Sequence, residues 1–111
     1  EGSHVEMLNS LKKLKSLPLK TRVYCGHEYT KKNLDFCLKY DPQNHFLKEK
    51  SFVINAKYKE NLPTIPSTIE EELKANIFLR CDNDDVKQAL NLKKSSEQEI
   101  FSKLRDLKDT F

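Results

Sequence analysis

Few residues in this sequence could do chemistry, and the most suggestive is His27, set in Cys25-Gly26-His27-Glu28-Tyr29. It follows a run that reads as a strand and a glycine that ends it. A loop at a strand end is exposed yet held in place, so it is a common site for ligands. An isolated histidine is nevertheless more often a surface or satisfied core side chain than a ligand, and His4 and His45 are read that way. The second candidate pair is Arg105 and Lys108. Three residues apart on a predicted helix they share a face, and two cations there can clamp a carboxylate. Each charge-assisted bond of such a clamp contributes about 1.5–3 kcal/mol. From spacing alone a solvated helix face is the favoured reading of that pair. Cys25, Cys37 and Cys81 are odd in number and form no C-x-x-C pair, so they read as buried thiols of a reducing, cytosolic compartment. Asp82-Asn83-Asp84-Asp85 looks like calcium-loop chemistry, but Val86 stands where a ligand is needed and the turn glycine is missing, so the run reads as helix capping.

The elements that must position these residues are mainly helical. Ser3-His4-Val5-Glu6 has the form of a capping box, and Leu8, Leu11, Leu14 and Leu17 follow, which predicts a helix over 3–16 that ends before Pro18. Thr21 to Cys25 alternates polar and β-favouring residues and predicts one short strand stopping at Gly26. It is the only convincing strand. A single strand cannot satisfy its own ladder hydrogen bonds, so this one is expected to pair with strands outside the sequence or with a second copy of itself. Such open edges predict either self-association or a frayed start.

From Thr30 the pattern is helical, with Leu34, Phe36, Cys37 and Leu38 forming an apolar face. Asp41-Pro42 reads as the cap and first turn of a further helix running to about Tyr58. Leu62-Pro63-Thr64-Ile65-Pro66 predicts an extended linker. Ser67-Thr68 then caps a helix ending near Arg80, with Glu70 and Glu71 in the first turn where the helix dipole favours anions. A short helix is expected over 86–90. Ser96-Glu97-Gln98-Glu99 is a second capping box, and Ile100, Phe101, Leu104 and Leu107 give the last helix a buried face.

A chain of 111 residues fits one core, and 37% hydrophobic with 33% charged residues is a globular composition. The longest apolar runs span a few residues, which excludes a membrane span or a signal-peptide core. The net charge of +3 comes mostly from lysines spread along the chain and diluted by acidic runs such as Glu70-Glu71-Glu72. Nucleic-acid binders cluster their basic residues, so that class is set aside. Without further information, a non-catalytic helical module that binds an acidic peptide or a partner protein is the alternative to an enzyme.

The run Thr21-Arg22-Val23-Tyr24-Cys25-Gly26-His27-Glu28-Tyr29-Thr30 with Asn33-Leu34 resembles the segment of glyoxalase II (hydroxyacylglutathione hydrolase) that carries its last metal-ligating histidine, within the metallo-β-lactamase superfamily. The resemblance continues through Pro66 to Glu72, Asn76-Ile77-Phe78-Leu79-Arg80 and Arg105-Asp106-Leu107-Lys108-Asp109-Thr110-Phe111. Three separate motifs in the family's order argue against coincidence. Ile77 stands where the family usually has proline, a departure that touches backbone stiffness more than chemistry.

That resemblance implies a mainly α fold, the helical C-terminal domain of glyoxalase II. Residues 1–29 are then a remnant of the αββα catalytic domain carrying the orphan strand, and residues 30–111 the helical glutathione-binding domain. His27 would ligate one metal of a binuclear zinc, iron or manganese site, Tyr29 would offer its phenol to glutathione, and Arg105 and Lys108 would hold the glycine carboxylate. The family's H-x-H-x-D-H motif is absent from this sequence, and Glu1-Gly2 matches the family's interior, so the chain is expected to be a piece lacking its N-terminal catalytic domain. The intact enzyme would hydrolyse S-D-lactoylglutathione to D-lactate and glutathione, in the cytoplasm or in an organelle. One imidazole is too few ligands for a catalytic metal, so the piece alone is expected to be inactive.

Overall fold

The computed structural model of the chain describes residues 3–24 and 30–111. Among these, six α-helices, one 3-10 turn and a two-stranded sheet follow one another. The order is α1 (His4–Lys15), β1 (Arg22–Val23), α2 (Thr30–Tyr40), α3 (His45–Lys59), β2 (Ser67–Thr68), α4 (Ile69–Ala75), the 3-10 turn Ile77–Leu79, α5 (Asp84–Ala89) and α6 (Glu97–Asp109). The mainly α expectation holds. No described helix is long and apolar enough to cross a membrane.

Helix starts follow side-chain chemistry closely. The Ser3, Asn44, Thr68 and Ser96 side chains each accept the backbone N–H three residues on, and Asn83 the N–H two residues on. Each satisfies a donor that has no partner inside its helix. Ser96 and Glu99 form the full reciprocal box, the Ser96 N–H donating to Glu99 Oε1 at 2.8 Å. At α1 only half of the expected box forms: the Glu6 N–H donates to Ser3 Oγ, and the Ser3 hydroxyl turns to the Glu6 carboxylate. Two helix ends are closed by Asn61 and Asn91 at φ 57° and 58°, with Leu62 N–H donating to Lys57 O and Leu92 N–H to Lys87 O. Asparagine is one of the few residues that tolerate this left-handed position.

Three boundaries differ from the sequence reading. Asp41 does not cap α3; Asn44 does. Asp41 is fully buried, where it accepts Arg80 Nε at 2.9 Å and Asn44 Nδ2 at 3.0 Å. Helix α4 ends at Ala75 rather than near Arg80, because the Asn76 side chain accepts the Phe78 N–H and starts the 3-10 turn. The third difference is the strand. It is two residues long and is not alone: it pairs antiparallel with Ser67–Thr68, Arg22 opposite Thr68 and Val23 opposite Ser67. The ladder runs on into α4, whose Ile69 and Glu70 N–H groups donate to Thr21 O and Leu19 O at 2.9 and 3.0 Å. The partner is thus the extended approach to α4, which Pro63 and Pro66 keep out of helix and in which the Ile65–Pro66 bond is cis. One strand edge is therefore occupied by the strand's own chain.

The core lies where α1, α2, α3, α4 and α6 meet. Phe36, Leu47, Ile77, Val86, Ile100, Phe101 and Leu104 are fully buried, each contributing about 1.5–3 kcal/mol by leaving water. Helix α2 packs on α3, α1 on α6, and α1 also touches α4 and the 3-10 turn. Cys37 and Cys81 are buried free thiols, as expected; Cys25 lies outside the described residues.

Candidate functional site

A cavity of about 280 Å³ opens between α2, α4 and α6. Helix α2 supplies Thr30, Asn33, Leu34, Phe36 and Cys37; the linker and β2 supply Thr64, Ile65 and Ser67; α6 supplies Arg105 and Lys108. The helix periodicity explains the last pair. Ile100, Phe101 and Leu104 turn one side of α6 into the core, and Arg105 and Lys108, one residue and one turn further on, flank that buried side.

The two cations are held over aromatic rings. The guanidinium carbon of Arg105 lies 5.4 Å from the Phe78 centroid, and Lys108 Nζ 5.7 Å from the Phe36 centroid. Arg105 makes one long pair, 3.9 Å, with Asp109, which is largely exposed. No carboxylate among the described residues pairs with Lys108. Burial, followed by the charges of Lys32 and Arg105, pushes the Lys108 ammonium below its usual range. An incoming anion would offset the repulsion from Lys32 and Arg105.

Among the described residues, the only acid on the cavity wall is already engaged. Glu72 accepts Ser67 Oγ at 3.0 Å and Asn76 Nδ2 at 3.1 Å, and Lys50 Nζ stands 3.9 Å away. Across the mouth, the Thr64 hydroxyl donates to Thr30 Oγ1 at 2.8 Å. Among the described residues no buried side-chain nitrogen or oxygen lacks a partner. The buried part of the described wall is therefore apolar or satisfied, and with Lys50 set beside Glu72 the attraction for an anion is concentrated at Arg105 and Lys108.

Cys37 lines the cavity but is no nucleophile near neutral pH, because burial pushes its thiol up to about 11. No histidine among the described residues lines it either. His4 packs edge-on to Phe101, and His45 is exposed at the start of α3, in keeping with the roles expected of them. The described elements can bind and orient an anionic, partly apolar ligand; they contain no acid–base or nucleophilic machinery.

Of the four residues singled out from the sequence, Arg105 and Lys108 come together at this cavity. His27 and Tyr29 lie outside the described residues, although Val23 and Thr30 on either side of that segment both line the cavity. The rings beneath the cations, Phe36 and Phe78, and the satisfied polar wall escaped the sequence reading. They come from helices far apart in the chain, with no local pattern to join them.

The family model described as hydroxyacylglutathione hydrolase C-terminus matches residues 28–111. Similar curated proteins carry the same enzyme name. The hydroxyacylglutathione hydrolase of Pelagibacter ubique (strain HTCC1062) is 53% identical over 111 residues, covering 100% of this chain and 41% of the relative. That of Chelativorans sp. (strain BNC1) is 46% identical over 105 residues, covering 95% and 41%. That of Bartonella henselae is 45% identical over 114 residues, covering 100% and 44%. The chain thus spans about two fifths of the length of these relatives.

Proposed function

Since this chain belongs to the hydroxyacylglutathione hydrolase family, we propose that it anchors the glutathione moiety of a thioester substrate, its cavity receiving the glycine end of the tripeptide. Arg105 and Lys108 take the glycine carboxylate, and Tyr29 offers its phenol to the same ligand. The observation that carries this reading is the pair of ring-supported cations at the mouth of a cavity whose one acid among the described residues is already engaged.

As part of a whole enzyme, the chain would serve the hydrolysis of S-D-lactoylglutathione to D-lactate and glutathione in the cytoplasm. Among the described residues no group of three or more His, Cys, Asp or Glu side chains could hold a metal ion. These elements do not build a metal centre, and the role derived for them stops at binding and orientation. For the two divalent metals that the family resemblance implies, zinc with iron or manganese as alternatives, His27 is this chain's one contribution. With a single imidazole, the 111 residues by themselves should not turn over substrate.

Calorimetric titration with S-methylglutathione tests the anchor. Arg105→Ala and Lys108→Ala should each weaken binding about tenfold or more, the loss of one charge-assisted bond. An analogue whose glycine carboxylate is an ethyl ester should bind correspondingly worse. Equal binding of acid and ester, or unchanged affinity in both variants, overturns the assignment.

A further inference from the structure

Around Arg105 and Lys108 the structure assembles a longer electropositive row on a strip of aromatic rings. Phe36 stacks on Phe78 with centroids 5.7 Å apart and planes 4° from parallel, and meets Phe111 edge-on at 5.2 Å. Arg105 lies over Phe78, Lys108 over Phe36 and Phe111, and Lys39 over Phe111 and Tyr40. Helix α2 carries Lys32, Phe36 and Lys39 at i, i+4 and i+7, which places them on one face. The face that supplies the ring beneath Lys108 therefore also sets a lysine one turn away on each side.

The two lysines are not equivalent. Lys39 stands at the end of the row occupied by Tyr40 and Phe111. Lys32 stands one turn before Phe36, at the start of α2, the end of the helix where Thr30 and Asn33 line the cavity. Asp35, the nearest acid along α2, is taken by Lys31 at 3.5 Å. No carboxylate among the described residues pairs with Lys32, and its charge, like that of Arg105, helps to hold the Lys108 ammonium below its usual range. Three like charges at one rim, countered among the described residues only by the long Arg105–Asp109 pair, repel one another until an anion arrives.

We propose that Lys32 is a third cation of the carboxylate anchor, an exposed rim charge that draws the ligand's carboxylate toward Arg105 and Lys108 and sharpens selection for a charged over an esterified glycine end. The proposal rests on the anchoring role given to Arg105 and Lys108. Lys32 needs no fixed hydrogen bond for this. A rim charge acts through the field, so its effect is expected in the association rate and in salt dependence more than in ligand geometry.

The test compares S-methylglutathione with its glycine ethyl ester on the wild-type protein and on Lys32→Gln, Lys32→Arg and Lys39→Gln. Lys32→Gln should reduce the preference for the acid about two- to fivefold, the range of an exposed ion pair. The difference should shrink as ionic strength rises from about 0.01 to about 0.15 M and the Debye length falls from about 30 to about 8 Å. Lys32→Arg should restore the preference, and Lys39→Gln should change it little. An unchanged preference in Lys32→Gln, or an equal fall in Lys39→Gln, overturns the proposal. Arg105→Ala and Lys108→Ala, run alongside, separate the two readings: if they lose the preference while Lys32→Gln keeps it, only the third cation fails. If they keep it too, the anchor itself fails and the third cation with it.

Discussion

Helices α1 and α6 lie against one another, yet they use their apolar residues differently. Helix α6 buries Ile100, Phe101 and Leu104 completely, whereas α1 buries only Leu8 and leaves Val5 and Leu14 about half exposed. Spacing is the cause. Steps of three residues rotate about 60° backwards around an α-helix, so Leu8, Leu11 and Leu14 spiral off the packed face. Positions 100, 101, 104 and 107 stay within one stripe. The side of α6 that carries Arg105 and Lys108, the proposed anchor, thus stands on a filled core, and the N-terminal segment, with exposed Leu17, Leu19 and Tyr24 beyond it, is attached more lightly. Binding residues need positions that do not drift, and the well-packed region is where the cations are found.

Phe36→Ala should show this contrast most clearly. Phe36 is fully buried and touches Phe78, Tyr40 and Phe111, so its removal should cost about 3–5 kcal/mol in a denaturant titration and take S-methylglutathione binding with it. A loss below about 1 kcal/mol would mean that the ring strip is not the support described above. Arg80→Ala should follow at about 3 kcal/mol, because it leaves the Asp41 carboxylate buried and unpaired by charge. Its melting temperature checks this.

The buried thiols predict an alkaline limb. Burial raises Cys37 to about 11 and Cys81 to about 12 from an ordinary value of 9.0, so the folded state holds these protons after the unfolded chain releases them. That stabilisation is fully present below about pH 9 and is lost as the pH rises through the folded values. Stability measured against pH should fall over this range, and Cys37→Ala should flatten the fall. Ser96→Ala, which removes the hydroxyl of the capping box, should cost about 1 kcal/mol. The Ser96 backbone N–H and hydroxyl hold the Glu99 carboxyl below its usual range. The Glu99 contribution is therefore present above its ordinary value of 4.5 and fades as acid takes the pH through the folded value; thermal melts of Glu99→Gln should lack that acid limb. Leu14→Ala, on the lightly packed helix, should change stability by no more than about 0.5 kcal/mol.

Elements whose start depends on a side chain two or three residues away were legible: the caps at Ser3, Thr68 and Ser96 stand where the sequence placed them. Misread elements depended on distant partners. Asp41-Pro42 looks like a helix start until Arg80, 39 residues on, draws Asp41 into the core and leaves the cap to Asn44. Thr21 to Cys25 looked solitary because its partner, Ser67–Thr68, has no strand pattern of its own and is extended chiefly by the neighbouring prolines.

The site divides along the same line. That Arg105 and Lys108 share a face follows from helical spacing, and the family resemblance singled them out, so the sequence by itself determined the pair along with the helical class. That the pair stands over Phe78 and Phe36, beside a cavity that the linker helps to line, was decided only by the tertiary structure. Periodicity reports which residues of one helix lie together. Which helices bring their faces to a common point depends on packing among residues remote in sequence, and no local pattern encodes that.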